Sequence, residues 1–215
     1  MTKQMEITAA ALRHNRMETF CCRKKEDIWP IVSQLMPVGS RVAAGGSVSL
    51  EQAGVLDNIR QGNYEFLDRN RPGLSAQERA EMMKQALTAD VYLLSANAVT
   101  QDGILLNADG NGNRLAALVY GPERIIVVAG SNKIVPDVEA GFHRLRTVAA
   151  PLNCRRLKLN TYCAKTGHCV ALDNGKPAPG SGCVGERICC QYVISAYQRH
   201  PDRVKVVLCE EALGY

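Results

Sequence analysis

With 215 residues, 46% of them hydrophobic and 22% charged, the chain can bury one substantial core and lacks the composition of a disordered segment. Its formal charge of +5 comes from 26 basic and 21 acidic residues scattered along the sequence, which argues against a nucleic-acid footprint. The longest apolar runs, Ile125 to Gly130 and Val204 to Cys209, fall far below the ~20 residues of a membrane helix, and Met1 to Lys25 lacks the pattern of a signal peptide. The expectation is a soluble, cytoplasmic chain with no nucleic-acid partner and no membrane insertion, forming a single domain over 1–215.

An N-terminal helical segment over 1–38 opens the chain. Ile7, Ala10, Ala11, Met17 and Phe20 predict a helix from Met5 to Cys22, which places Cys21 and Cys22 on it, and a second helix runs from Ile28 to Met36 with Pro30 in its first turn. Arg41 to Ala44 reads as a short strand running into Gly45-Gly46-Ser47, with Ser49 placed to cap a helix over Leu50 to Arg60. Ser75 and Glu78 have the spacing of a capping box ahead of a helix from Ala76 to Leu87. Apolar runs then follow at Val91 to Ala96, Ile104 to Asn107, Leu115 to Tyr120 and Ile125 to Ala129, separated by turn residues, and each reads as a buried strand. A helix from Pro136 to Ala150 comes next, then a polar, cysteine-rich excursion over 160–190, then strands Gln191 to Tyr197 and Arg203 to Cys209 around His200-Pro201-Asp202. Strands alternating with helices imply an α/β fold: an open, mainly parallel sheet with helices on both faces.

Three stretches offer chemistry. Gly45, Gly46, Ser47 and Ser49 lie between a strand and a helix, where backbone amides can hold an anion, although a plain turn with a serine cap explains the same residues. Asn97, Asp102, Asn113 and Arg114 fall at strand ends; hairpin turn chemistry accounts for Asp102-Gly103 and for Asp109 to Asn113, while Asn97 could orient a carbonyl and Arg114 could grip an acid group. Gly130, Asn132 and Lys133 follow a strand and precede a helix, again at a position suited to a negative ligand. The nine cysteines include Cys163, Cys169, Cys183 and Cys189, spaced by five, thirteen and five residues, with Cys190 as a spare. Four soft ligands from one loop suit an iron–sulfur cluster or, alternatively, zinc; free thiols or a disulfide remain open. His168 is a further ligand candidate, and Cys154 and Cys209 sit in apolar, core-like contexts.

Taken in order, these residues resemble the LUD, or lactate-utilisation, domain family over nearly the whole chain. The likeness rests on Gly45-Gly46-Ser47 with Leu50 and Gly54, on Tyr64 to Arg69, on Thr88 to Val91 leading to Ser95-Ala96-Asn97-Ala98, and on Asp102-Gly103, Asn107, Asp109-Gly110 and Gly112-Asn113-Arg114. It continues through Tyr120-Gly121-Pro122, Gly130, Asn132 to Val135, Ala150 to Asn153 and Cys163 to Gly167. The resemblance implies a fold similar to sugar-phosphate isomerases and CoA transferases, and a role in lactate oxidation through iron–sulfur proteins. It supplies no nucleophile by motif, and residues 170–182 look expanded relative to the family's compact cysteine loop.

Two functions follow as expectations. One is a component of iron–sulfur-dependent oxidation of lactate or a related hydroxy acid, with a small anionic metabolite, iron–sulfur partner subunits and the option of a homo-oligomer. The other is an enzyme or sensor for a sugar-phosphate or CoA-like ligand, with the cysteine loop as a structural zinc or thiol element; here Asp102, Asp109 or Glu65 would supply acid–base chemistry. A plain regulatory binding module is the third option.

Overall fold

The computed structural model describes residues 1–175 and 181–215, so the part of the predicted excursion at 176–180 lies outside the description. Helix α1, Lys3–His14, is capped by Thr2, whose hydroxyl accepts the Met5 amide at 3.3 Å, and it buries Met5, Ala9 and Leu12 on one face. It stops before the two cysteines expected on it. Arg16 takes a left-handed φ of 63°, and the chain then runs as strand β1, Glu18–Cys22, where Thr19 and Phe20 suit a pleated surface. Helix α2, Ile28–Leu35, and strand β2, Arg41–Ala44, follow as expected.

The helix anticipated over Leu50 to Arg60 is two short ones, α3, Val48–Gln52, and α4, Val55–Gln61, because Gly54 at φ 66° breaks the run. The cap is Ser47 rather than Ser49: the Ser47 hydroxyl accepts the Leu50 amide at 3.2 Å. Strand β3, Glu65–Leu67, leads to α5, Ala76–Gln85, which carries the capping box in full, Glu78 N–H to Ser75 Oγ at 3.2 Å and Ser75 N–H to Glu78 Oε2 at 2.8 Å. Strands β4, Val91–Leu94, β5, Ala98–Thr100, and β6, Leu105–Asp109, come next.

Leu115 to Tyr120, expected as a strand, is helix α6, Asn113–Tyr120. Burial there has a helical period: Leu115, Ala117 and Leu118 are buried while Val119 and Tyr120 are exposed, so the apolar run is one face of a helix. Strands β7, Arg124–Gly130, and β8, Ile134–Val135, precede α7, Val138–Arg144, which passes through a π-helical turn at Leu145–Ala149 into α8, Ala150–Arg156. The helix expected to end at Ala150 therefore continues to Arg156. Short helices α9, Tyr162–Thr166, and α10, Val170–Asp173, form the cysteine excursion, and β9, Gln191–Ser195, and β10, Val204–Cys209, close the chain.

The main sheet has the order β1-β10-β7-β4-β2-β3 with every pairing parallel. Its central strands are buried on both faces, and alternate residues feed opposite cores. Tyr92, Ile125, Val127 and Val206 pack under α1 and α6, while Leu93, Ile126, Val128 and Val207 pack under α2, α3 and α4. A second sheet, β8-β5-β6-β9, packs against α7 and α8 through Ala98, Leu106, Val135 and Leu145. The last two strands are thus not one hairpin: β9 joins the small sheet and β10 the large one. No helix among the described residues is long and apolar enough to cross a membrane.

Candidate functional site

Strands β2, β4 and β7 are parallel neighbours, so the segments that follow them emerge at one edge of the sheet. Gly46 to Ser49 follow β2, Ser95 to Asn97 follow β4 and Lys133 follows β7; together with the β6–α6 loop they line a cleft of about 450 Å³. Arg69, Arg79, Arg156 and Tyr215 complete its walls.

Two arginines crowd the paired glycines, Arg114 through its stem at Gly45 and Arg69 through its mobile end at Gly46. A Cβ on Gly45 would stand 2.8 Å from Arg114 Cδ, and one on Gly46 would stand 2.6 Å from Arg69 Nη2. The turn is bare so that one guanidinium can pass behind it and another can lie across it. Arg114 is the strut. Its Nη1 donates to Ser95 O and Asn107 Oδ1, both at 3.0 Å, and its Nη2 donates to Ala108 O at 2.5 Å and Asn97 Oδ1 at 3.4 Å. Burial holds this guanidinium below its ordinary pKa. Asp109 shapes the loop by accepting the amides of Gly110 and Arg114 at 3.0 Å each. Asn97 Oδ1 accepts the Ala108 amide at 2.8 Å, so it holds β6 as well as Arg114.

Lys133 is buried, 3% exposed, and its Nζ donates to Ser49 Oγ and Ser95 Oγ, both at 2.9 Å. No carboxylate among the described residues pairs with it. Desolvation, with the nearby charges of Arg144 and Arg114, lowers its pKa to about 7. The same lack of ion pairs extends to Arg69, Arg79, Arg114 and Arg156, against which the cleft sets the carboxylates of Glu51 and Asp109. Arg156 is oriented by neutral partners, Asn153 Oδ1 at 2.8 Å and the Tyr215 hydroxyl at 2.8 Å.

Of the residues singled out in sequence, Gly46, Ser47, Ser49, Asn97, Asn113, Arg114 and Lys133 line this cleft, with Gly45 directly behind it. Asp102, Gly130 and Asn132 lie elsewhere. Asp102 belongs to the β5–β6 turn, where Thr100 donates to its carboxylate and Asn15 Nδ2 donates to its carbonyl at 2.8 Å. Asn132 receives the Leu213 amide at 3.0 Å and donates to Gly214 O at 3.1 Å, and a Cβ on Gly130 would meet Leu213 N at 2.4 Å. These two clasp the C-terminal segment. Sequence reading gave no ligand role to Ser95, Arg69 or Arg79, although Ser95 and Arg69 stand among the residues of the family likeness, and it read Arg156 as part of a solvated basic spot; chain topology brings them together.

The four cysteines also converge. Cys163, Cys169, Cys183 and Cys189 line a second, largely apolar cavity of about 20 Å³, and Cys190 is turned outward with its thiol on Arg187 O at 3.4 Å. Cys154, buried as expected, has its Sγ 3.7 Å from Cys163 Sγ, and this contact holds the Cys163 thiol below its ordinary pKa. His168 is engaged elsewhere, with Nε2 2.8 Å from Asp173 Oδ1. The donor set suits a soft metal, and the space suits a body of about one water's size, the scale of a single ion. Among the described residues no three ligating side chains stand at metal-holding separation, so either a single ion or a cluster requires these thiols to move.

No curated protein matches the chain. Among solved structures, a DUF162 family protein from Deinococcus radiodurans aligns over 97% of this chain and 99% of its own, with a TM-score of 0.53 and 12% identity, which establishes a shared fold. The eIF2B beta subunit from Chaetomium thermophilum aligns over 53% of this chain and 43% of its own, with a TM-score of 0.37 and 17% identity. The family model described as LUD domain matches residues 5–209. The chain belongs to the LUD domain family, a family associated with lactate utilisation.

Proposed function

We propose that this LUD-domain chain binds a small anionic metabolite in its cleft and serves the oxidation of lactate or a related hydroxy acid together with iron–sulfur partner subunits. The observation that carries the anion reading is a set of four arginines, Arg69, Arg79, Arg114 and Arg156, with Lys133 beside them, that line one cleft with no salt bridge among the described residues, against the two carboxylates Glu51 and Asp109. Unpaired charge at such density is costly to keep, and an incoming carboxylate or phosphate relieves it.

A second reading, a sugar-phosphate or CoA-like ligand, is favoured by the number of cations and by the cleft's size. A single carboxylate occupies one or two of these groups, while about 450 Å³ falls within the roughly 300–1,000 Å³ of small-molecule sites. The proposed ligand residues are Gly46, Ser47, Ser49, Asn113, Arg114 and Lys133, joined by Arg69, Arg79 and Arg156. Cys163, Cys169, Cys183 and Cys189 would hold zinc with the least rearrangement, or an iron–sulfur cluster once the loop widens; a cluster would carry electrons, zinc would hold the loop shut.

Oxygen-free purification followed by iron and zinc analysis, with calorimetric titration of lactate, ribose 5-phosphate and coenzyme A, tests both readings. Iron in the protein and a response to lactate support the redox role. Iron-free protein that binds only the phosphorylated compounds replaces it with the second reading, and silence towards all three anions removes both.

A further inference from the structure

We infer that Ser95 is a nucleophile with Lys133 as its base, and that the cleft takes an acyl ester or thioester whose remainder carries phosphate; the substrate class rests on the anion reading above. Three buried groups form the arrangement: Lys133 Nζ lies 2.9 Å from both Ser49 Oγ and Ser95 Oγ, and the two hydroxyl oxygens lie 3.3 Å apart. All three line the cleft. Among the described residues no negative charge offsets an ammonium here: its acceptors are two neutral hydroxyls, and the charged groups that act on it, Arg144 from α7 and Arg114 from α6, are both positive. A buried amine beside cations loses its proton near neutrality and becomes a base.

The hydroxyls are not equivalent. Ser49 donates its proton to Leu213 O at 3.1 Å, so its oxygen is left to accept. Ser95 has no such fixed acceptor: its hydroxyl faces Ser49 Oγ, Ala96 O at 3.4 Å and, once Lys133 is neutral, the Nζ lone pair. Ser95 is also the more open of the two, 6% against 1% exposed, at the C-terminal end of β4. Ser49 therefore positions Lys133, and Ser95 can pass its proton to it.

The chemistry balances without a redox partner. The Ser95 proton moves to Nζ as the Oγ–C bond forms at the acyl carbon; the C–S or C–O bond to the leaving group breaks, and Lys133 returns the proton to the leaving atom. Water then gives a proton to Lys133 and attacks the acyl carbon, the serine ester bond breaks and Ser95 recovers its proton. The products are a carboxylic acid and a thiol or alcohol.

The test is labelling of the full chain with a fluorophosphonate, located by peptide mass spectrometry, beside titration with inorganic phosphate. The expected result is an adduct on Ser95, absent in Ser95→Ala, with a labelling rate that rises through about pH 7 and falls at least about tenfold in Lys133→Met. Lys133→Met replaces a buried charge by an apolar chain of similar length, so loss of fold does not obscure its rate. An adduct on Ser49 instead, or an unchanged rate in Lys133→Met, overturns the assignment. Phosphate binding without any adduct overturns the nucleophile and leaves the anion site standing; no phosphate binding overturns the substrate class.

Discussion

The two cavities meet where the chain returns from the cysteine loop, with Arg187 and Ile188 lining the cleft and Cys189 lining the thiol cavity, yet they are built on opposite terms. The cleft stands at the ends of parallel strands, and Arg114, Lys133 and Arg156 in it are held by carbonyls, amide oxygens and hydroxyls. The thiol cavity hangs on two short helices, tied back by bonds such as Cys169 N–H to Arg146 O at 2.9 Å and Cys190 N–H to Asp109 O at 2.9 Å. A charged site and a small thiol site differ in what they offer, cations and amides in the first and soft sulfur donors in the second, which is why the proposed function gives them different guests.

Substitution can break that contrast, beginning with the largest effect. Lys133 has a folded pKa depressed to about 7 from 10.5, so between these values the unfolded chain binds more protons and stability rises with pH. Relative to Lys133→Met, the wild-type chain should gain up to about 4 kcal/mol between pH 7 and pH 10.5. Denaturant titration across that range checks it; parallel curves for the two proteins would mean the ammonium is not buried alone. Arg114→Ala comes next, because it strips the hydrogen bonds to Ser95 O, Asn107, Asn97 and Ala108 O, of which Ser95 and Asn107 are buried. A loss of about 3 kcal/mol in unfolding free energy is expected.

Smaller effects sharpen the contrast. Gly46→Ala meets only the mobile end of Arg69, so it should cost less than about 1 kcal/mol in stability while displacing that guanidinium and weakening anion affinity by about tenfold. Equal loss of stability and affinity would show that the turn is merely structural. Serine at Cys163, Cys169, Cys183 and Cys189 should abolish metal uptake, measured by elemental analysis, and shift anion affinity by less than about threefold, since the two cavities share no lining residue although they meet at 187–189.

Much of this was legible in the chain because it is local chemistry. The glycine pair at 45–46 announced a close approach, Lys133 at a strand end announced a cation at the sheet edge, and the spacing of four cysteines announced one meeting point. Leu115 to Tyr120 misled because a short apolar run has no visible period until Val119 and Tyr120 are seen to face outward. Cys21 and Cys22 were assigned to a helix because propensity does not register the left-handed Arg16 that ends it. Asp102 and Asn132 carried the side chains of a ligand site, but their partners are Thr100, Leu213 and Gly214. Arg69, Arg79 and Arg156 come from three separate stretches, and only the crossover order of the sheet sets them around one opening.

The most direct test of the account is calorimetric titration of ribose 5-phosphate into the wild-type chain and into Arg156→Ala, at low and at high salt. Saturable one-site binding, weakened by salt and reduced about tenfold by the substitution, is the predicted result. Absence of binding by ribose 5-phosphate and by lactate and coenzyme A titrated alongside it, or binding indifferent to both salt and Arg156, would contradict it.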